Sequence, residues 1–359
     1  MAAALEGKAI LITGGTGSLG KVLVRRVLSG QLGTPRKVIV LSRDEAKQHA
    51  MRLAYLDRSV TTDEVIYRNF ARALEFRIGD VRDYRDVCAS VRDADVVVNA
   101  AALKQVPTCE YFPEQAVLTN CVGAMNIVRA IREHDYPVEA VVAVSTDKAC
   151  KPVNVMGMTK ALQERIVIAA NLGGGATRFM VVRYGNVLAS RGSVIPLFHS
   201  QIAAGGPVTL TAPEMTRFLV TLEEAVDMVC EAISHGRPGE TLVPITPSAT
   251  VLNLATALIG DRDVPVDVTG IRPGEKLHEV LVSEEECHHT TRRGRYYAIA
   301  PMLPELAESI DQGGGEPLDL KGEYSSADNL VSLEETVALL ERNRLLVGQV
   351  PRDGVELLR

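Results

Sequence analysis

Short apolar runs recur along the first half of the chain, at Lys8–Thr13, Lys37–Leu41, Leu74–Ile78, Asp95–Ala100, Ala140–Val144 and Arg178–Tyr184. Most are nearly continuous rather than alternating, the pattern of strands covered on both faces. Between them, apolar positions spaced three and four apart predict helices at Lys21–Leu28, Pro113–Arg132 and a stretch that begins near Asn154 and carries Lys160. Strand, helix, strand in repetition predicts a doubly wound parallel sheet. Arg58–Ala73 interrupts this rhythm with an amphipathic helical excursion to which no function is assigned.

After Tyr184 the elements shorten, and prolines and turns multiply. The fold class predicted is α/β: a Rossmann-like doubly wound parallel sheet with a smaller C-terminal substrate lobe. Residues 1–187 form the dinucleotide-binding domain, and 218–242, with a helix at Glu223–Ser234, return to it. Residues 188–217 and 243–300 form the lobe. Residues 301–359 are an extension with a Gly-Gly-Gly-Glu-Pro break past Asp311 and an isolated helix at Leu333–Arg344. Ser332 and Glu335 have capping-box spacing at that helix's start.

Gly14-Gly-Thr16-Gly17-Ser18-Leu19-Gly20 sits between the first strand and its helix. Gly14 permits a tight turn, Gly17 lets the backbone approach a pyrophosphate, and Gly20 lets helix pack on strand. Free N–H groups at the helix start attract phosphate. The second strand ends in Ser42-Arg43-Asp44, with Lys47 one turn on. A hydroxyl and two cations suit the 2′-phosphate of NADP, and Asp44 is read as a helix N-cap. At the third strand end Asp80, followed by Val81, is a candidate acceptor for the adenine amino group, an ordinary turn being the competing reading. Ala100-Ala101-Ala102 leave room for a cofactor crossing the sheet, and Lys104 follows. Asn120 lies inside a helix, where a buried amide needs partners.

The fifth run opens into Ser145-Thr146-Asp147-Lys148, an acid beside a base at a strand's carboxyl end, where open parallel sheets bind ligands. The sixth ends in Tyr184-Gly-Asn186-Val187 at the same edge, with Arg191 following.

The net charge of −6 argues against a general nucleic-acid binder. Apolar runs fall short of the ~18 residues of a membrane span, and the N-terminus lacks a signal peptide's pattern. The six cysteines show no paired spacing, so neither a metal site nor a disulfide framework is expected. These features predict a cytoplasmic protein.

Together these residues resemble the extended short-chain dehydrogenase/reductase superfamily. More narrowly, they resemble inverting, soluble, capsule-type UDP-N-acetylglucosamine 4,6-dehydratases. The resemblance rests on Thr13-Gly-Gly-Thr-Gly-Ser18, Ser42-Arg-Asp-Glu45, Ala101-Ala-Leu-Lys-Gln-Val-Pro107, Cys109-Glu-Tyr-Phe-Pro113, Ser145-Thr-Asp-Lys-Ala149, Arg183-Tyr-Gly-Asn-Val187, Ser190-Arg-Gly-Ser-Val194 and Arg272-Pro-Gly-Glu-Lys276. It implies a hydro-lyase with NADP, serving surface-polysaccharide or glycan sugar biosynthesis. It also implies a homo-oligomer, with a hexamer as one form. The tail past Lys321 is either a latch on a neighbouring subunit or a disordered end.

The resemblance implies roles for residues. NADP takes hydride from C4 of the sugar, Lys148 removes the C5 proton, Asp147 protonates the departing 6-hydroxyl, and hydride returns to C6. Lys148 must at some point be neutral, and a nearby cation, Lys160 or the nicotinamide, is expected to lower its pKa. Lys160 is assigned to the nicotinamide ribose, and Tyr184, Asn186 and Val187 line the cofactor. Arg217 and Arg272 clamp the diphosphate, while Lys104, Asn186, Arg191 and Glu275 contact sugar, phosphate or uridine. The superfamily's catalytic tyrosine is replaced by Met156, which has no acidic proton. The group that deprotonates the 4-hydroxyl therefore stays open among Asp147 through a water, Thr146 and Cys109. Alternatives for the whole protein are a retaining dehydratase, a 4-epimerase and an NADP-sensing binding protein.

Overall fold

The structure, a computed structural model, describes residues 3–56, 64–188, 190, 193–310, 320 and 322–349. Strands β1 (Ala9–Thr13), β2 (Lys37–Ser42), β3 (Leu74–Ile78), β4 (Val96–Asn99), β5 (Ala140–Thr146), β6 (Arg178–Tyr184), β7 (Thr241–Pro244), β8 (Thr290–Arg293) and β9 (Tyr296–Ile299) form one sheet. Their order is β8-β9-β7-β6-β5-β4-β1-β2-β3. Every pairing from β3 to β7 is parallel, and β9 and β8 add an antiparallel hairpin at one edge. The order reverses between β1 and β4, the switch point where open sheets take their ligand.

Each strand feeds both faces of the sheet. Ile10, Ile12, Val38, Val40, Val96, Val98, Met180 and Val182 enter one core with helices α1 (Ser18–Leu28) and, past β6, Leu222–His235. Their neighbours Leu11, Ile39, Leu41, Val97, Val141 and Val181 enter the other, with α2 (Gly123–His134) and α3 (Val155–Ala169). Alternation of side chains across the pleat thus explains why the strands are apolar throughout.

Several boundaries differ from the sequence expectation. The run Pro113–Arg132 is helical throughout, as expected, but not uniformly α. It is α-helical at Pro113–Ala116, widens to a π-helix over Val117–Val122, and resumes as α2. Residues 290–299, assigned to the lobe, form β8 and β9, because Tyr296 and Ala298 pack into the first sheet core. The helix Leu333–Arg342 is capped as expected by Ser332 and Glu335 but is not isolated. Leu340 is fully buried in the lobe core with Phe198, Leu254 and Leu258. The N-terminal part of the Arg58–Ala73 excursion, and the chain past 349, lie outside the described residues. Among the described residues no helix is long and apolar enough to cross a membrane.

The lobe carries a small sheet of Asn186–Val187, Thr216–Val220 and Ser248–Thr250. Its first strand follows β6 after Gly185, so the lobe starts from the carboxyl edge of the main sheet.

Candidate active site

At the switch point β1 turns on Gly14, whose φ is +66°. A Cβ there would lie 2.8 Å from the Cα of Ala101, so only glycine permits this approach of the β1 and β4 ends. Thr13 Oγ1 donates to Asn99 Oδ1 at 2.8 Å and accepts from the Ala101 N–H, fastening the two ends. A Cβ on Gly20 would fall 2.4 Å from Gly15, which seats α1 on its own turn. Gly17 precedes α1, Ser18 begins it, and Leu19 leans on the core.

In front of this edge lies a cleft of about 500 Å³, lined among others by Gly14, Ser42, Arg43, Asp80, Ala101 and Ala102. Thr16 Oγ1 and Ser42 Oγ stand 2.9 Å apart across it. Asp44 accepts from the Lys47 N–H as the cap of the next helix, and its other oxygen pairs with Lys47 Nζ at 2.5 Å. Burial works against the Asp80 carboxylate, but Arg82, with Arg43 3.7 Å away, outweighs it and holds the group below the usual carboxylate range. Val81 is buried on the cleft wall, with its carbonyl held by Asn126. The glycine cradle, the cleft and its cationic rim fit an adenine dinucleotide.

The acid–base pair lies two strands away. Asp147 begins a one-turn 3-10 helix after β5 and is fully buried. Its Oδ1 accepts from Thr146 Oγ1 at 2.8 Å and from Lys148 Nζ at 3.1 Å; Oδ2 is buried without a partner among the described residues. Burial raises the Asp147 pKa, the Lys148 cation opposes, and the Glu279 charge adds to the rise. The acid is therefore biased toward its protonated form. Lys148 behaves contrary to expectation. Burial favours the neutral amine, but the Asp147 and Glu279 carboxylates outweigh it, and the pKa is raised rather than lowered. Lys160 is not the neighbour that sets it. Glu279 Oε1, 3.1 Å from Lys148 Nζ, is the residue sequence reasoning missed. Its only trace was a lone acid between the Arg272–Lys276 turn and the apolar Val280–Val282.

Several expected contacts have other work. Lys160 Nζ donates to the Val144 carbonyl at 2.5 Å and to Gln163 at 2.6 Å, and burial lowers its pKa to about 8. Asn120, assigned to the cofactor, uses its oxygen on the Leu103 N–H and its amide protons on the Leu103 carbonyl and Thr159. These bonds hold Leu103, next to the alanines that line the cleft. Met156 is 5% exposed and packs with Cys109 and Ala116, a filler rather than an acid or base. Cys109 is fully buried, and burial raises its pKa, which disfavours the thiolate. Tyr184 lies in the sheet core, where burial raises its phenol, and Val187 packs beside it.

On the lobe side, Arg217 donates to the Thr216 and Leu277 carbonyls, and its charge acts on both Lys148 and Glu279. Arg272 is exposed on a turn flanked by Gly270 and Gly274, both at positive φ. Glu275 Oε2 and Asn186 Oδ1 are buried without a partner among the described residues. Lys104 is exposed beyond the alanines, and Arg191 lies outside the described residues.

The protein family described as Polysaccharide biosynthesis protein matches residues 10–301. A UDP-glucose 4-epimerase of Rickettsia akari is 43% identical over 341 residues, 93% of this chain and 95% of that protein. The UDP-N-acetylglucosamine 4,6-dehydratase (inverting) of Campylobacter jejuni is 40% identical over 309 residues, 85% of this chain and 86% of that one. Among solved structures, Pen from Bacillus thuringiensis is 32% identical, covers 95% of this chain and 99% of its own, and superposes with a TM-score of 0.83. The dTDP-glucose 4,6-dehydratase DesIV of Streptomyces venezuelae, with NAD and TYD bound, is 22% identical over 94% of this chain and 98% of its own, with a TM-score of 0.65, and speaks to the fold alone. These names correct the expectation that the class is hydro-lyase alone. Epimerases are isomerases, and several curated relatives bear that name at 43–44% identity, so the enzyme class stands no finer than dehydratase or epimerase.

Proposed function

The chain belongs to the polysaccharide biosynthesis protein family of extended short-chain dehydrogenase/reductases, whose named relatives are nucleotide-sugar dehydratases and epimerases, and we propose that it acts on a UDP-N-acetylhexosamine through a transient 4-ketone, eliminating the 6-hydroxyl as water. Bound in the cleft, NADP supplies hydride uptake from C4 and its return to C6. NADP is preferred to NAD because Ser42 and Arg43 occupy the place where an acid would meet a free ribose. The Lys47–Asp44 pair is half exposed and worth little, so a 2′-phosphate can displace it.

The observation that carries the reading is the Asp147–Lys148 pair, because a bare exchange at C4 leaves it idle. Once C4 is a ketone, the C5–H bond is acidic. The Lys148 amine takes that proton, the C–H electron pair becomes the C5–C6 double bond, and the C6–O bond breaks. Asp147, biased toward its protonated form, gives its proton to the leaving oxygen, which departs as water. Met156 and Cys109 lie buried in a hydrophobic cluster, so Thr146 or a water relays the 4-hydroxyl proton to the Asp147 carboxylate, which is thereby protonated for the elimination. Arg217 and Arg272 are assigned to the diphosphate. The unpartnered oxygens of Asn186 and Glu275 are assigned to sugar or ribose hydroxyls. A homo-oligomer follows from the family resemblance.

The test is turnover of UDP-N-acetylglucosamine in D₂O without added reductant, followed by NMR. A 4-keto-6-deoxy product with deuterium at C5 supports the reading, and its ring couplings distinguish inversion from retention at C5. The names of the epimerase relatives favour a second reading, exchange at C4 alone. A C4-epimeric product with its 6-hydroxyl intact establishes that one instead.

A further inference from the structure

We propose that Glu279 is a positioning residue for Lys148: its carboxylate fixes the amine at the carboxyl end of β5 and supplies the counter-charge for the ammonium that forms as the amine takes a proton. The proposal rests on the base role given to Lys148 above and adds to it a partner from the lobe. Asp147 and Lys148 belong to the main sheet, whereas Glu279 opens the lobe strand Val280–Val282.

Three observations carry it. The amine is held from two sides, with Asp147 Oδ1 and Glu279 Oε1 each 3.1 Å from Nζ. The backbone that carries the carboxylate is held on both sides of the peptide. The Glu279 N–H donates to Ser326 Oγ at 2.9 Å, and its carbonyl accepts from the Ser326 N–H at 2.8 Å. Ser326 Oγ is in turn 2.6 Å from Thr216 Oγ1, which lies 2.8 Å from His278 Nδ1. The C-terminal extension therefore fixes the backbone from which this side chain reaches Lys148. Third, Glu279 is 2% exposed, yet its Oε2 has no hydrogen-bond partner among the described residues and stands 3.9 Å from Lys276 Nζ. A carboxylate buried only for stability would have both oxygens satisfied, since an unpaired buried oxygen is unfavourable.

The charged groups facing the amine are Asp147 on its own turn, Glu279 on the lobe strand and Arg217 on the strand Thr216–Val220; Lys276 faces Glu279. Elimination requires protonated Asp147, Lys148 that has first given up the proton its raised pKa favours, and ionised Glu279. Afterwards the proton taken from carbon is on Lys148 and Asp147 is ionised. The ammonium is then formed against a carboxylate already in place, as a buried aspartate steadies the imidazolium of a hydrolase triad.

The test reads Lys148 directly. Full-length protein is treated with 1-fluoro-2,4-dinitrobenzene, with which an amine reacts only in its neutral form, across a pH series, and labelling of the Lys148 peptide is followed by mass spectrometry. In Glu279→Gln the labelling midpoint is expected to fall by about 1–3 pH units, the usual effect of removing an opposite charge at this range. The alkaline rise of kcat is expected to move down with it, and kcat to fall with KM little changed. Glu279→Asp, which draws the charge back while preserving the fold, is expected to give an intermediate midpoint. A midpoint unchanged in both variants overturns the proposal. A midpoint that moves while Lys148→Ala still eliminates water removes Lys148 from the base role and leaves its coupling to Glu279 standing.

Discussion

Arg183 grips Glu286 with both ends of its guanidinium: Nη1 lies 2.8 Å from Oε2 and Nη2 lies 2.8 Å from Oε1. The arginine is on β6 and the glutamate on a short lobe helix, Glu284–Cys287, so this contact joins the two parts of the molecule. Glu164 on α3 holds the same guanidinium through Nε and Nη2, and Ser145 beside the acid–base turn donates to Glu164. Arg183 and Glu286 are 3% and 7% exposed. Breaking such a buried pair by removing one partner costs about 3–5 kcal/mol, because the other charge is left uncompensated. Glu286→Ala is expected to lose that much stability in urea unfolding.

The same pair predicts an acid limit. Burial opposes the Glu286 carboxylate, but hydrogen bonds and charge from Arg183 bring its pKa down to about 2. A depressed acid contributes stability that is present above its unfolded pKa and lost as pH falls toward 2. The contribution is about 3 kcal/mol. Unfolding free energies at about pH 6 and about pH 3 should differ less in Glu286→Gln than in the parent protein.

Lys160 gives the opposite case. Burial lowers its pKa to about 8, so the folded protein holds fewer protons than the unfolded chain between there and the ordinary lysine range. Stability contributed by this group rises with pH across that window, by up to about 3 kcal/mol. Lys160→Met should flatten the rise in a pH series of chemical denaturation.

Asn120 ties Leu103 from both sides of its peptide. Asn120→Ala strands two part-buried backbone groups, and a loss of about 1–3 kcal/mol is expected in thermal or urea unfolding. Calorimetric titration should show weaker NADP binding, because the alanines preceding Leu103 wall the cleft.

Gly20→Ala places a methyl 2.4 Å from the Gly15 Cα, against backbone that cannot yield cheaply. Overpacking here should cost about 1–3 kcal/mol or more and abolish dinucleotide binding. Far-UV circular dichroism and titration with NADP and NAD read the two effects separately.

For turnover, Lys148→Met and Asp147→Asn should each lower kcat by about 10²–10⁴, the usual worth of a positioned acid or base. Cofactor affinity should be unchanged, since the pair stands apart from the residues that line the dinucleotide cleft.

The residues by themselves determined the parallel sheet, the glycine turn, the place of the Asp147–Lys148 pair at a strand end and the capped helix after Ser332. These rest on local periodicity and on sequence neighbours, which act at short range and leave a linear trace. They could not reveal that Glu279 meets Lys148, that Glu286 meets Arg183 or that Asn120 is spent on Leu103. Those pairs are separated in the chain by 131, 103 and 17 residues. Nor could they set the sign of the Lys148 shift, because a buried amine is raised or lowered according to which charges folding brings around it. Chemistry at the strand ends was written locally. The electrostatic environment in which it operates was decided by the lobe and the C-terminal segment folding back onto that edge.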